Sequence, residues 1–431
     1  MKAFAIILLI FLCSIKNKIN SNAGVHTPEE FGAAGDGKTD DTMPLTKALN
    51  SGFNIYFNGA RKYKIINTVK VKTISNKTID LRNATIIRDP AKIGFVFVNC
   101  TGVIFRNGNI ICSTPPSEGA GSENCVNFIQ CKNTVTTGLY IDGSDEMGIA
   151  YMDCIGVSAS FNHIKNCYRD GIHEVYCAKV RVFNNIISNI KDDALACHDY
   201  GSDVQKPFLI ANGYPQSSDI KIYNNRITNC YQGITSISCR TIEIKNNRIL
   251  GTVGAGIAVF NTRAIANGSA RVKGASIINN TITNSCSAQK IMGVTYPNRG
   301  QNSTGRAAIF VGTLGSNSQM GNATRLANVS VTGNIVTNSG VNGLWLSDTD
   351  NATLLNNTFT NCCIETSAFS GTVCAIYRLT NAHISGNKTV DTRVAKKHNF
   401  GFDIQNVSGK ISGLTNTGAM QGNHIYKATA F

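Results

Sequence analysis

Short apolar runs alternate with polar positions along most of the chain, and they recur about every 23 residues. Gly148-Ile149, Gly171-Ile172, Ala194-Leu195, Gly233-Ile234 and Gly256-Ile257 open successive units. Within these units Val157, Val180 and Ile242 coincide, as do Ala159, Val182 and Ile244. Period-two alternation over such short stretches predicts strands that turn one face inward. A single unit of this kind has no core of its own, so a fixed period predicts a solenoid in which stacked units share one.

Asparagines punctuate the units in pairs four residues apart: Asn162/Asn166, Asn185/Asn189, Asn225/Asn229, Asn280/Asn284, Asn334/Asn338 and Asn357/Asn361. Asparagine tolerates the left-handed backbone of a sharp turn, and its amide can bond the equivalent amide one coil on. The residue between each pair, such as Ile164, Ile187 or Phe359, is expected in the core. Propeller blades need roughly 40 to 50 residues and sandwiches do not hold register unit after unit, so the period predicts an all-β, right-handed parallel β-helix. Length alone would suggest two or three domains; repetition replaces that with one domain over 24–431, in which 24–65 form the N-terminal cap and first coil. The cap is a short helix starting at Asp40-Asp41-Thr42, with Met43, Leu45, Ala48 and Leu49 apolar. Weaker repeats after about Asn387 are expected to close the other end.

Met1-Lys2 followed by an apolar run over 3–15 is too short to span a bilayer and has the order of a secretory signal, expected to end at 23. No later stretch predicts a membrane helix, so the mature chain is expected to be secreted or periplasmic. Only 16% of residues are charged, yet the net charge is +15, which points to an acidic polysaccharide partner. The export signal argues against nucleic acid. Cys131, Cys154 and Cys177 recur at the repeat spacing and Cys239 takes the same place later. That pattern predicts an interior ladder of mostly unpaired thiols, with Cys362 and Cys363 the least determined, instead of a disulfide framework.

Acidic residues are scarce, which gives their clusters weight. Asp170 closes one unit and Asp193 the next, with Asp192 beside it and Cys197-His198-Asp199 following. Coils rise about 4.8 Å, so the three carboxylates are close enough to raise one another's pKa and keep one protonated near neutrality. Such a pairing serves as general acid beside general base in glycoside hydrolysis. Turn formation is the competing role for Asp-Gly and Asp-Asp. Two insertions break the repeat, 201–217 and 287–305, and long loops on solenoids gather on the binding face. They supply Lys206, Tyr214, Lys290, Tyr296 and Arg299 as sugar contacts, with His173 a further candidate. His163 lies in an asparagine turn and reads as structural. No Cys/His cluster has zinc spacing, and no cofactor is expected; surface carboxylates could hold calcium if the enzyme were a lyase.

Phe31-Gly32-Ala33-Ala34-Gly35-Asp36-Gly37-Lys38-Thr39-Asp40-Asp41-Thr42, then a short helix, Asn54-Ile55-Tyr56-Phe57 and Arg61-Lys62-Tyr63-Lys64-Ile65, closely resembles the amino-terminal signature of the pectate-lyase-like superfamily. That group includes rhamnogalacturonase- and polygalacturonase-type hydrolases (glycoside hydrolase family 28 and its relatives), phage tailspike depolymerases and some epimerases. Asp170-Gly171 and Asp192-Asp193 match the family's Asp-Gly and Asp-Asp positions. The resemblance implies Asp192 as acid, with Asp170 and Asp193 activating water for inversion. The family's Gly-His-Gly would fall near Gln232-Gly233, where no histidine stands, and the unit at Gly256-Ile257 has no Arg-Ile-Lys; His198 or His173 is the candidate substitute. Tailspike-like relatives include trimers, so monomer and trimer both stay open. The expected function is hydrolysis of a uronate-containing polysaccharide. A lyase using Lys191, Arg169 or His198 as base, and a non-catalytic binding or surface-polysaccharide assembly protein, are the alternatives.

Overall fold

The computed structural model describes residues 25–119, 123–262, 271–297, 303–314, 325–365, 371–395 and 398–426. Among the described residues thirty-three strands join in one sheet wound on itself, and successive coils pair in parallel, as the repeat predicts for a right-handed parallel β-helix. Each full coil lays one strand on each of three walls. Beside the candidate aspartates these are β1 (His163–Cys167), β2 (Ile172–Val175) and β3 (Ala178–Phe183). The next coil runs the first two walls together in β4 (Ile186–His198) and completes the third with β5 (Ser218–Tyr223). The one after comprises β6 (Arg226–Ile237) and β7 (Thr241–Lys245). Farther on, the second wall continues through β8 (Ile257–Thr262), β9 (Ala307–Leu314), β10 (Asn342–Leu355), β11 (Thr372–Ser385) and β12 (Phe400–Ser412).

Register makes the core. Ile172, Leu195, Ile234 and Ile257 stack in one inward column and are fully buried. Cysteines form a second column, in which the Cys100 N–H meets the Cys131 sulfur at 3.4 Å and the Cys131 N–H meets that of Cys154 at 3.3 Å. The described cysteines are free thiols, all buried apart from the half-buried Cys112.

The asparagine pairs divide their labour. Asn162, Asn185, Asn225, Asn247, Asn280, Asn334, Asn357 and Asn387 form an internal ladder, each side-chain N–H donating to the next side-chain carbonyl at 2.9 or 3.0 Å. The second members, among them Asn166, Asn189 and Asn229, take the left-handed backbone. Gly251 holds that place after Asn247.

Helix α1 (Thr42–Leu49) caps the first coil and buries Leu45, Ala48 and Leu49, but Met43 points outward and is 61% exposed. Its approach is tied by Asp41, whose carboxylate accepts the Ala34 and Gly35 N–H groups, and by Asp36, which accepts those of Lys38 and Thr39. The carboxylates of the amino-terminal signature are therefore spent on folding. At the other end the described chain after Asn387 goes on stacking strands. The last of them, Gly422–Tyr426, pairs with β12 and leaves Ile425 and Tyr426 exposed. Among the described residues no helix is long and apolar enough to cross a membrane, and the expected signal segment lies outside them.

Candidate active site

Asp170 lies in the corner between β1 and β2, and the equivalent corner of the next coil is the middle of β4. There β4 carries one residue more than β6, because Ile190 pairs with Cys230 while Asp193 pairs with Gln232. A bulge of this kind re-aims a side chain. It turns Asp192 outward, leaving it 35% exposed at the side chain, while Asp193 and Asp170 stay buried. One oxygen of each of the three carboxyls lies within 4.8 Å of the others. The Asp193 N–H donates to Asp170 Oδ1 at 3.0 Å.

Their surroundings push these acids in opposite directions. Burial, then the charges of Asp170 and Asp193, pushes Asp192 up to about 8 despite the Arg169 guanidinium, whose Nε donates to Asp192 Oδ2 at 3.2 Å. Burial and Asp170 likewise raise Asp193, opposed by the Thr235 hydroxyl at 2.8 Å and the Gln232 amide at 3.0 Å. Burial raises Asp170 too, but the charge and hydrogen bond of His173 Nδ1 outweigh it and hold Asp170 below the ordinary carboxylate range. The trio thus holds an ionised carboxylate beside protonated carboxyls near neutral pH.

Two histidines back the cluster. His173 and His198 stand on neighbouring coils of the second wall with ring centroids 4.9 Å apart, edge to face. Burial and the neighbouring His173 depress His198 to about 3, so its ring is neutral. His198 Nδ1 meets the Tyr200 hydroxyl at 2.9 Å, and Nε2 faces Asp193 Oδ2 at 3.5 Å.

The predicted binding residues fare differently. Lys206 does not face a ligand: it is 1% exposed, with its ammonium 3.2 Å from the buried Asp199 carboxylate. The apolar packing of helix α2 (Pro207–Ala211) draws it inward. Leu209 sits among Ile155, Val175, Tyr176 and Ala178, and the Phe208 and Leu209 N–H groups donate to Asp153. Tyr214 packs against that same cluster, with Lys179 over its ring. Arg299 lies outside the described residues.

The two insertions do border the site, on opposite edges of the second wall. Residues 201–217 fold back on Val175 and Tyr176, where the Tyr176 hydroxyl donates to Gln205 at 2.6 Å, and the hairpin Gln289–Ile291 with Val294–Tyr296 stands against Asn229 and Tyr231. Gln232, Thr235 and Tyr200 join the site without having been singled out from the sequence. Register was the signal available for the first two, since Gln232 occupies the coil position of Asp170 and Asp193.

Among the described residues the aspartate trio is the one group of three or more acidic, histidine or cysteine side chains close enough to share a cation. Calcium takes six to eight oxygen ligands. Here the oxygens are already engaged by His173, Arg169, Gln232, Thr235 and a backbone N–H.

No protein-family model and no curated protein sequence matches the chain. Solved structures do match in fold. The catalytic unit of a thermostable GH87 α-1,3-glucanase from Streptomyces thermodiastaticus aligns over 95% of this chain and 68% of its own, at 15% identity and a TM-score of 0.56. A mutant tailspike protein of E. coli bacteriophage HK620 in complex with pentasaccharide aligns over 92% and 80%, at 11% identity and a TM-score of 0.60. A family 28 exopolygalacturonase from Yersinia enterocolitica aligns over 84% and 78%, at 13% identity and a TM-score of 0.52. All three share the long parallel β-helix.

Proposed function

We propose that this chain is an exported glycoside hydrolase acting on an acidic, uronate-bearing polysaccharide. Asp192 is the general acid and Asp170, backed by Asp193, the general base. The observation that carries the reading is the divergence between the two groups: the accessible carboxyl is pushed up while its buried neighbour is held down. Neighbouring acids whose environments drive their pKa values apart are how one site runs acid and base chemistry together. Asp192 gives its proton to the glycosidic oxygen as the bond to the anomeric carbon breaks. Water bonds to that carbon and its proton passes to Asp170. Asp193 and His173 are positioning residues that fix the base.

An acidic substrate is supported by the net charge of +15 and by Arg169, whose guanidinium meets the accessible Asp192 carboxyl. The names of the structural neighbours, a glucanase, an exopolygalacturonase and a tailspike holding a pentasaccharide, support glycan chemistry on this fold. A lyase is disfavoured by the state of its candidate bases. Neighbouring carboxylates hold Arg169 above its ordinary value against its burial, so it stays charged. The Lys191 ammonium sits 3.5 Å from the Tyr168 ring centroid. His198 is buried behind Asp193. A purely binding role gives no return for crowding three carboxyls into one corner.

The test is incubation of the mature protein with a panel of acidic polysaccharides, scoring reducing ends and ultraviolet absorbance, beside Asp192→Asn. Hydrolysis predicts reducing ends without absorbance, lost in the variant. Absorbance at an unsaturated sugar would transfer the assignment to a lyase, and wild-type silence with retained binding would transfer it to a binding protein.

A further inference from the structure

Farther along the second wall lies a separate depression of about 210 Å³, lined by Asn342, Trp345, Thr372, Tyr377, Asn399 and Asp403 among others. Register places it on the outward face that carries the catalytic cluster. His173, Ala196, Thr235, Ala258, Phe310, Trp345, Ala375 and Asp403 form one outward column, and Val175, His198, Ile237, Phe260, Gly312, Ser347, Tyr377 and Gln405 the next. Trp345 stands four coils beyond the coil of Asp193, about 19 Å at the usual rise per coil. An apolar strip of Ile237, Phe260 and Phe310 separates the two places.

The chemistry of the depression is that of a sugar site. The Trp345 and Tyr377 rings meet edge to face, with centroids 5.2 Å apart. The Tyr377 hydroxyl donates to Asp403 Oδ2 at 2.6 Å, and the Gln405 amide donates to the same carboxylate at 2.9 Å. Asn342 is 1% exposed, and its side-chain oxygen makes no hydrogen bond within the protein, a cost that a ligand hydroxyl would relieve. Ring faces, an amide carbonyl awaiting a donor and a fixed carboxylate suit a hydroxyl-bearing, uncharged sugar. Asp403 already has His424 Nδ1 at 2.7 Å, and the Arg306 guanidinium lies 5.3 Å from the Trp345 ring centroid, so the neutral sugar is favoured by the hydroxyl-matching contacts and not by a net negative charge.

We infer that this depression is a second carbohydrate site that holds a neutral sugar unit of the polysaccharide cleaved at the aspartate cluster. The assignment of the polymer rests on the hydrolase reading, but the site's existence does not. Trp345 is the chain's one tryptophan, so indole emission reports on this depression alone.

The experiment titrates the Asp192→Asn protein, which leaves sugars intact, with neutral hexasaccharides of glucose, galactose and mannose, and with hexagalacturonate as the charged counterpart. The expected result is a saturable change in emission with at least one neutral probe, at least tenfold weaker in Tyr377→Ala and in Asp403→Asn. Silence with every neutral probe, tighter binding of hexagalacturonate, or binding untouched by both variants would overturn the assignment. In the active protein Trp345→Ala is expected to raise KM for the polymer about tenfold, the factor a lost ring-face contact carries, with kcat unchanged. If the wild type cleaves nothing while the titration saturates, the hydrolase reading falls and the depression stands.

Discussion

Glu174 is an acid in the wrong place for stability, and its replacement tests the electrostatics behind the site. It points into the core one residue after His173, between Tyr151 of the preceding coil and Cys197 of the next. One oxygen meets the Cys197 thiol at 3.0 Å, and the other has no hydrogen-bond partner. Burial, with the Asp170 charge adding to it, pushes the carboxyl from 4.5 up to about 8. The unfolded chain releases this proton near 4.5, whereas the folded chain keeps it to about 8. Across that window the folded state binds more protons, so stability falls as pH rises, by about 1.4 kcal/mol per unit and on the order of 5 kcal/mol in all. Glu174→Met fills much the same volume and removes the titration. Unfolding in urea, followed for both proteins from about pH 4.5 to about pH 8, is expected to show the variant gaining on the wild type throughout the interval. Asp192 and Asp193 slope the same way in both proteins and cancel in the difference. A flat difference curve would refute the claim that Glu174 is buried and protonated.

Asp192→Asn is expected to lower kcat by about 10²- to 10⁴-fold with polysaccharide affinity retained, checked by turnover beside equilibrium binding. Wild-type activity is expected to fall above about pH 8 as Asp192 loses its proton, and at acid pH only below the ordinary aspartate range, where Asp170 gains one. Arg169→Ala removes a charge that lowers Asp192, so the alkaline limb of the pH–rate profile is expected to move upward. Asn225→Ala interrupts the ladder, taking from the backbone and side-chain N–H groups of Asn185 their shared acceptor and from the Val182 carbonyl its side-chain donor, and is expected to cost about 3 kcal/mol or more in denaturant unfolding. Lys206→Met leaves the Asp199 carboxylate buried and unpaired, at about 3 to 5 kcal/mol, with faster proteolysis across 201–217 as the readout.

The walls of the solenoid were legible because stacking repeats a side chain's environment every coil, and Ile172, Leu195 and Ile234 are written at that period. The ladder was legible only in part. Asn247 is followed four residues on by Gly251 and Asn387 by Asp391, so a search for asparagine pairs passes over both, although each amide stacks like the rest. The aspartate trio was visible as vertical neighbours that would keep a carboxyl protonated, yet the direction each one takes was not, because it comes from His173 beside Asp170 and from Arg169 and Thr235 reaching across coils. Alternation from Ile172 already turns Glu174 inward, but a charged residue in a core column runs against the expectation that strands bury apolar groups. Lys206 was misplaced because a basic residue in an insertion reads as exposed, and only the packing of α2 reveals that it neutralises Asp199. Register between Trp345 and His173 was hidden by the intervening insertions, whose lengths differ from coil to coil.

The central claim is that water, activated at the aspartate cluster, is added across a glycosidic bond. Mass spectrometry of products formed in heavy-oxygen water tests it most directly. Hydrolysis predicts one labelled oxygen at each new reducing end, none at the new non-reducing end, and no unsaturated sugar. Unsaturated products with unlabelled ends would contradict it.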